Sequence, residues 1–253
     1  MTQAPDAERK ELLAIAREAA ALAAAALLAH RAEWAVITGG AGREVKIDAD
    51  VRAEALILET LARRAPFPII SEEKGRIEGA GAYVWAVDPL DGSVNYLRGY
   101  PHCAVSIGLL REGEPVLGVV DCFLAGASFH GLVGEGAWLN GAPIAVSDIA
   151  DPKMGILQTG VPARARTDAS AMAAMSRLIT QWQKVRMIGS AATALAYVAA
   201  GRAEAYRESG SMIWDIAGGC ALVRAAGGLV RIEGVLDAPL EVAASNGRAP
   251  LPD

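Results

Sequence analysis

The chain has 253 residues, of which 24 are basic and 29 acidic, so its formal net charge at pH 7 is −5. This balance, without a run of lysine and arginine, speaks against a nucleic-acid partner. The cysteines, Cys103, Cys122 and Cys220, are odd in number and far apart, which favours a reduced, cytoplasmic protein over a secreted one with disulfides. A chain of this length is expected to form one domain over residues 1–253, with two closely packed halves that meet near residue 145.

Helical spacing of apolar residues predicts the first two helices. The first covers residues 6–32, and its alanine-rich stretch is shorter than the about twenty apolar residues that a membrane span needs. It therefore indicates a buried helix rather than a membrane anchor or a signal peptide. A break at 38–42 follows, and Asp50 is expected to be the N-cap of a second helix, which Pro66 stops.

Strands are predicted next, and then a second mixture of helices and strands. Apolar runs at 68–70 and 83–87 each end at acidic residues, and the runs from 103 to 129 alternate with turns as in an antiparallel meander. Further predicted elements are a helix over 170–181, a strand over 185–188, a helix capped by Ser190 and stopped by Gly201, a helix from Asp215 to 227–228, and a strand over 229–232. Helices grouped around antiparallel strands predict an α+β layered sandwich.

Acidic residues follow the predicted buried elements in three places. The segment 85–96 reads W-A-V-D-P-L-D-G-S-V-N-Y, so Asp88 and Asp91 lie where a buried strand ends. Glu72 and Glu73 follow the preceding strand, and Asp215 stands at a helix start. Each of these residues alone is most often a turn former or a helix cap. Together they favour a divalent cation with oxygen ligands, Mg²⁺ or Mn²⁺ rather than Zn²⁺, because the histidines are scattered and the cysteines isolated.

Backbone amides without helical partners are predicted beside these carboxylates. Gly92 and Ser93 directly follow Asp91, and the segment 189–192 opens a helix. Amides opposite a carboxylate-bound cation form a receptor for a phosphoryl group, so the sequence predicts a phosphatase.

Several segments resemble the inositol monophosphatase family of magnesium-dependent, lithium-sensitive phosphatases. They are S-E-E followed by D-P-L-D-G-S-V-N-Y, then G-E-G-A-W-L-N-G, and far downstream W-D-I-A-G-G-C-A-L-V-R-A-A-G-G. The resemblance covers nearly the whole chain and implies an α-β-α-β-α sandwich that is usually a homodimer. It also implies hydrolysis of inositol 1-phosphate, or of a related cyclitol or sugar phosphate, by direct attack of a water that two or three Mg²⁺ ions activate, with Mn²⁺ as a substitute.

The same resemblance assigns ligands to the metal ions. The first Mg²⁺ would bind Glu72, Asp88 and the backbone carbonyl of Leu90. The second would bind Asp88, Asp91 and Asp215, so that Asp88 bridges the two ions. Glu73 would support these ligands from behind.

Catalytic and substrate contacts are assigned in the same way. Asp50 and Ser93 would orient and deprotonate the attacking water, with Glu72 as a further catalytic residue. The amides of Gly92 and Ser93 would bind the phosphate. The substrate itself would contact Asp91, Ala191, Glu208 and Asp215.

Two features depart from the family pattern. Ser93 stands where the family usually has threonine, and because the hydroxyl is kept, retained activity is expected. The segment between Glu73 and Trp85 is short, which leaves the occupation of a third metal site open.

Other readings stay open at this point. Val94 and Asn95 resemble the inositol phosphatase branch, but fructose 1,6-bisphosphate, glycerol phosphate, histidinol phosphate and 3′(2′),5′-bisphosphate nucleotides are substrates of similar sites. Asp48-Ala49-Asp50 also fits the D-x-D of haloacid-dehalogenase-type phosphatases, in which the first aspartate is phosphorylated, although Lys46 interrupts the strand that this motif needs. An alternative of another class is a regulatory binding partner with vestigial activity.

Overall fold

Helices and sheets alternate along the chain, and a computed structural model describes residues 6–41, 44–162, 165 and 167–252. The helices within these ranges are α1 (Asp6–Ala29), α2 (Arg31–Trp34), α3 (Asp48–Arg64), α4 (Ser93–Arg98), α5 (Ala169–Gln181), α6 (Ala191–Ala199) and α7 (Ile213–Ala225). Single turns of 3₁₀-helix cover Phe123–Ala125 and Pro152–Met154.

The strands of the described residues form one hairpin and two sheets. The hairpin pairs β1 (Ile37–Ala41) with β2 (Glu44–Ile47). The first sheet contains β3 (Ile69–Ser71), β4 (Gly75–Ile77), β5 (Tyr83–Asp91), β6 (Ala104–Arg111), β7 (Glu114–Cys122), β8 (Ala127–Leu132), β9 (Gly136–Leu139) and β10 (Ala142–Ile144). The second contains β11 (Ile156–Thr159), β12 (Lys184–Arg186), β13 (Ala205–Ser211), β14 (Leu229–Glu233) and β15 (Leu240–Ser245).

Both sheets are mixed. The eight-stranded sheet has the order β10-β9-β8-β7-β6-β5-β3-β4, and its strands are antiparallel except for the parallel pair β3 and β5. The five-stranded sheet has the order β12-β11-β13-β15-β14, in which β11 runs parallel to β12 and β13. The continuous apolar runs of β5 and β6 are buried almost throughout, as expected for strands that are covered on both faces.

Helices cover each face of the sheets. α1 and α3 pack on one face of the eight-stranded sheet, where Leu27 and Ile57 are fully buried in a common core. α6 and α7 lie between the sheets, since α7 contacts β5 to β8 as well as β14 and β15. α5 packs on the five-stranded sheet in a separate apolar cluster with Leu157, Leu178 and Trp182. This arrangement confirms the predicted layered sandwich.

Two glycines let α7 approach the eight-stranded sheet closely. A Cβ atom on Gly118 of β7 would lie 2.1 Å from the carbonyl oxygen of Gly218 in α7. A Cβ atom on Gly108 of β6 would lie 2.6 Å from the Cβ of Ala217. A side chain at either position would push the helix away from the sheet. The contact therefore fixes the distance of α7 from the sheet, and with it the position of Asp215.

The apolar helix α1 is a core helix of this fold. By length and composition alone, Ala7–Ala29 could cross a membrane, but half of its apolar window is buried inside the protein. Ile15, Ala19 and Ala23 are at most 2% exposed and face α3 and the eight-stranded sheet. The expectation of a buried helix is confirmed.

Some predicted boundaries were wrong. α1 ends at Ala29 rather than at residue 32, because a second short helix starts at Arg31. Asp50 is not an N-cap and Asp215 does not begin its helix. Each is the third residue of its helix, and its side chain accepts a hydrogen bond from the backbone N–H of the residue that precedes the helix.

Some of the other elements agree with the sequence predictions and some were not predicted. Ser190 caps α6 by accepting the N–H of Thr193 at 3.2 Å, and Gly201 follows that helix with φ +67°, as predicted. The hairpin of β1 and β2 replaces the expected break, of which Gly42 lies outside the described residues. β11, β13 and β15 were not predicted, because sequences such as A-Y-R-E-S-G-S lack a clear apolar alternation.

Candidate active site

Parallel pairing of β3 and β5 brings the two acidic pairs to the same edge of the sheet. Ser71 pairs with Val87, and the N–H of Glu72 donates to the carbonyl of Val87 at 3.2 Å. Glu72, which directly follows β3, and Asp88, which lies within β5, therefore stand side by side on neighbouring strands. Asp88 is only 2% exposed, so its carboxyl group lies in a largely dry environment.

Glu72 and Asp88 form a cluster with the carboxyl groups of Asp91 and Asp215, in which Asp88 is buried and the other three residues are half-buried. The carboxyl groups of Glu72 and Asp88 are close enough to influence each other's ionisation. Burial raises the pKa of Glu72 well above its ordinary value, and the charge of Asp215 raises it further. Burial also raises the pKa of Asp88 well above its ordinary value, and the charge of Glu72 adds to this effect. Carboxylates crowded in this way either retain protons or bind a cation.

Asp91 is held by the first turn of α6. Its Oδ2 accepts hydrogen bonds from Ser190 Oγ at 2.6 Å and from the N–H of Ala192 at 2.7 Å. Burial raises the pKa of Asp91 to about 7, although these hydrogen bonds act in the opposite direction. The start of a helix stabilises negative charge, so α6 fixes one oxygen of this carboxyl group.

Asp50 and Ser93 form a hydrogen-bonded pair beside the cluster. Ser93 Oγ lies 3.0 Å from Asp50 Oδ1 and 3.1 Å from the carbonyl oxygen of Leu90, so its one proton has two acceptors. The other oxygen of Asp50 accepts the N–H of Ile47 at 3.1 Å. Burial raises the pKa of Asp50 to about 7. The pair can therefore take up a proton near neutral pH.

An open cavity of about 380 Å³ joins the acidic cluster to the residues expected to bind phosphate and substrate. Those of the predicted site residues that line it are Glu72, Asp88, Leu90, Asp91, Gly92, Ser93, Ala191, Glu208 and Asp215. Asp50 and Glu73 stand behind this lining rather than in it. Gly92 has φ +89°, and a Cβ there would lie 2.9 Å from the carbonyl oxygen of His102, so glycine is required at this turn.

Glu208 reaches the cavity from β13. Its Oε2 accepts hydrogen bonds from Tyr206 Oη at 2.6 Å and from Ser211 Oγ at 2.9 Å, and burial raises the pKa of its carboxyl group. The other oxygen lies against Gly160, where a Cβ atom would come within 1.8 Å of it. Gly160 is therefore part of the site, although the sequence gives no local signal for it, because the contact joins two neighbouring strands.

Two charged residues behind the cluster were also missed. Lys46 Nζ lies 2.9 Å from Glu73 Oε2 and forms an ion pair with it. Glu54 is fully buried and accepts hydrogen bonds from the turn that carries Glu72. One signal could have identified Glu54, because it lies four residues before Leu58 and therefore on the apolar face of its helix.

The donor set fits a hard divalent cation. Among the described residues, no three or more Asp, Glu, His or Cys side chains are arranged so that they could hold a metal ion. The four carboxyl groups of the cluster nevertheless face one cavity, where burial and the charges of their neighbours raise the pKa of Glu72 and of Asp88. A divalent cation would relieve this repulsion, and oxygen donors favour Mg²⁺ or Mn²⁺ over Zn²⁺.

Comparison with known proteins gives a consistent result. The sequence profile of the inositol monophosphatase family matches residues 8–239. The Nus factor SuhB of Xylella fastidiosa is 44% identical over 184 residues, which are 72% of this chain and 67% of that protein. An inositol-1-monophosphatase of Synechocystis is 40% identical over 194 residues, 76% of this chain and 68% of that protein. The structure of the inositol monophosphatase from Anabaena matches with a TM-score of 0.83 and 35% identity, and the match covers 94% of this chain and 92% of that one. With its sequence and its fold in agreement, the chain belongs to the inositol monophosphatase family.

Proposed function

We propose that the protein is a Mg²⁺-dependent phosphomonoesterase that hydrolyses inositol 1-phosphate or a related cyclitol or sugar phosphate. The observation that carries the proposal is the convergence of the carboxyl groups of Glu72, Asp88, Asp91 and Asp215 on a cavity that the turn at Gly92 and Ser93 also lines. Sensitivity to lithium, assembly as a homodimer and a cytoplasmic location belong to the same proposal, because the family resemblance implies the first two and the cysteine pattern the third.

The residues that would hold Mg²⁺, or Mn²⁺ in its place, are Glu72, Asp88, Asp91, Asp215 and the carbonyl group of Leu90. Bound there, Mg²⁺ would neutralise charge on the phosphoryl oxygens and lower the pKa of the attacking water. Lys46 already neutralises Glu73 at 2.9 Å, which favours two ions over three.

Asp50 and Ser93 would move the proton of the attacking water. Ser93 Oγ can accept this proton while it donates its own to Asp50 Oδ1, at 3.0 Å. A proton acceptor whose pKa is about 7 is well suited to a general base at neutral pH. Direct attack by water requires no phospho-enzyme.

Substrate recognition would depend on Glu208. Tyr206 and Ser211 occupy its Oε2, so Oε1 is the oxygen that would accept a hydrogen bond from a substrate hydroxyl. The side chain of Asn95 donates hydrogen bonds to the carbonyl groups of His102 and Ile188, at 2.6 and 2.7 Å, so it stabilises the backbone around the site. Fructose 1,6-bisphosphate, glycerol phosphate, histidinol phosphate and bisphosphate nucleotides remain alternative substrates.

A second candidate function is a binding role. The chain is 44% identical to a protein named as a Nus factor, and such a role is compatible with an intact catalytic site. The absence of a nucleic-acid partner, which the composition favours, therefore stays a prediction.

The test is release of inorganic phosphate from inositol 1-phosphate, fructose 1,6-bisphosphate, histidinol phosphate and adenosine 3′,5′-bisphosphate, with and without Mg²⁺. We expect Mg²⁺-dependent turnover that Asp88→Asn abolishes without unfolding the protein. Asp48→Asn is the matched control, because Asp48 pairs with Arg52 on the surface, and it should be nearly normal. No turnover on any of the four esters would reject the proposal, and an inactive Asp48→Asn would indicate a phospho-enzyme.

A further inference from the structure

Glu54 is a fully buried carboxyl group that has no part in the reaction proposed above. It lies on the face of α3 that contains Leu58 and Leu61, and this helix packs against β5. Burial of a carboxyl group costs free energy unless hydrogen bonds compensate for it. The contacts of Glu54 therefore indicate what it stabilises.

One oxygen of Glu54 gathers three donors from a single turn. Oε1 accepts hydrogen bonds from Ser71 Oγ and from the N–H groups of Glu73 and Lys74, the last two at 3.1 Å. Oε2 has no hydrogen-bond partner among the described residues. Glu54 therefore binds the turn through a single acceptor atom, and the three donors lie within four consecutive residues.

This turn connects β3 to β4, and Glu72 is its first residue. The N–H of Glu72 is bound to Val87 of β5 at 3.2 Å, and the residues on either side of Glu72 are bound to Glu54. The backbone around Glu72 is therefore fixed from two directions, by the neighbouring strand and by α3.

Anchoring is needed here because the side chain of Glu72 is repelled. The carboxyl groups of Asp88, Asp91 and Asp215 line the same cavity as that of Glu72. Since like charges repel, a loosely held turn would carry Glu72 out toward water.

We propose that Glu54 is the positioning residue of this turn, and that it holds Glu72 and Glu73 in place before a cation binds. The part that concerns metal affinity rests on the proposed function. The anchoring of the turn can be measured without any metal or substrate.

The experiment compares three variants of the full chain. Glu54→Leu has a similar size but no acceptor, whereas Glu54→Gln keeps one acceptor oxygen. Glu59→Gln on the same helix is the control, because the side chain of Glu59 is 73% exposed. Amide hydrogen exchange of a peptide that covers residues 71–77 is measured in the metal-free protein, and Mn²⁺ affinity is measured by titration calorimetry.

We expect Glu54→Leu to speed exchange of this peptide at least about tenfold and to weaken Mn²⁺ binding about 10- to 100-fold. Glu54→Gln should stay within about threefold of the wild type in both, since the acceptor remains, and Glu59→Gln should match the wild type. Unchanged exchange in Glu54→Leu would overturn the proposal. So would equal losses in Glu54→Gln and Glu54→Leu, because the charge would then be what matters.

Two further arms keep the result decisive. If Glu54→Leu does not fold, Ser71→Ala replaces it, and faster exchange of the turn supports the proposal while unchanged exchange rejects it. If the wild type binds no Mn²⁺, the proposed function fails, whereas the exchange data still decide the role of Glu54.

Discussion

The metal-free protein is expected to lose stability as the pH rises from 5 to 7. Burial raises the pKa of Asp50 from 3.8 to about 7 in the folded chain. Between these values the folded chain keeps a proton that the unfolded chain has released, so a rise in pH favours unfolding. The stabilising contribution is complete below pH 3.8 and is lost as the pH passes through about 7.

The size of the effect follows from this difference. One bound proton changes the free energy of unfolding by about 1.4 kcal/mol per pH unit. From pH 5 to 7 the folded Asp50 retains most of its proton, which gives a loss of about 2 kcal/mol and a fall in Tm of about 4–8 °C for a chain of this length. Asp91, whose pKa is also raised to about 7, should add a similar loss.

The assay is thermal unfolding of EDTA-treated protein at pH 5, 6 and 7, followed by circular dichroism. Asp50→Asn keeps an acceptor for the N–H of Ile47 but cannot ionise, so its free energy of unfolding should depend less on pH, by about 1 kcal/mol per unit. Added Mg²⁺ should stabilise the wild type most at pH 7, because binding requires deprotonated carboxylates. Equal pH slopes for the wild type and Asp50→Asn would refute the reasoning.

Three further predictions concern single substitutions. Ser93→Ala should lower kcat about 100-fold with little change in KM, whereas Ser93→Thr should remain active. Steady-state kinetics on the best substrate of the panel measure both, and a normal kcat for Ser93→Ala would contradict the proposed proton transfer. Gly160→Ala should displace the carboxyl group of Glu208 and raise KM for inositol 1-phosphate about tenfold. Hydrolysis of p-nitrophenyl phosphate, which has no hydroxyl for Glu208 to bind, should stay the same. An equal effect on both esters would speak against a role of Glu208 in substrate recognition. Gly118→Ala should lower the free energy of unfolding by about 3 kcal/mol in a urea titration, and an unaltered value would mean that α7 can move off the sheet at little cost.

Local sequence patterns were sufficient for the acidic edge of the site. Two apolar runs that end in Glu72 and Asp88 already specify buried strands with carboxyl groups at their ends. The pairing of those strands follows from the layered fold that the segments predict. The capping of α6 by Ser190 is equally local, since it depends on one hydroxyl and the first turn of a helix.

Contacts between distant elements could not be predicted in this way. Asp50 and Asp215 were placed at helix starts, but each helix begins two residues earlier, because a carboxyl group three residues beyond a helix cap can also satisfy the first amides. The need for glycine at Gly160 arises from Glu208 on another strand. The position of Glu54 on the apolar face of its helix indicates burial, but the turn at Glu72 that binds it comes from a later part of the chain.

Asp91 ends a strand of the eight-stranded sheet, yet its Oδ2 is bound by α6, which packs on β11 and β13 of the other sheet. A small sliding motion between the sheets would leave the backbone hydrogen bonds of each sheet intact, but it would still move Asp91 away from Ser190. The activity proposed for the protein would therefore depend on how the two sheets pack against each other. A chain in which both sheets are formed but packed slightly out of position would have a native circular dichroism spectrum and no activity.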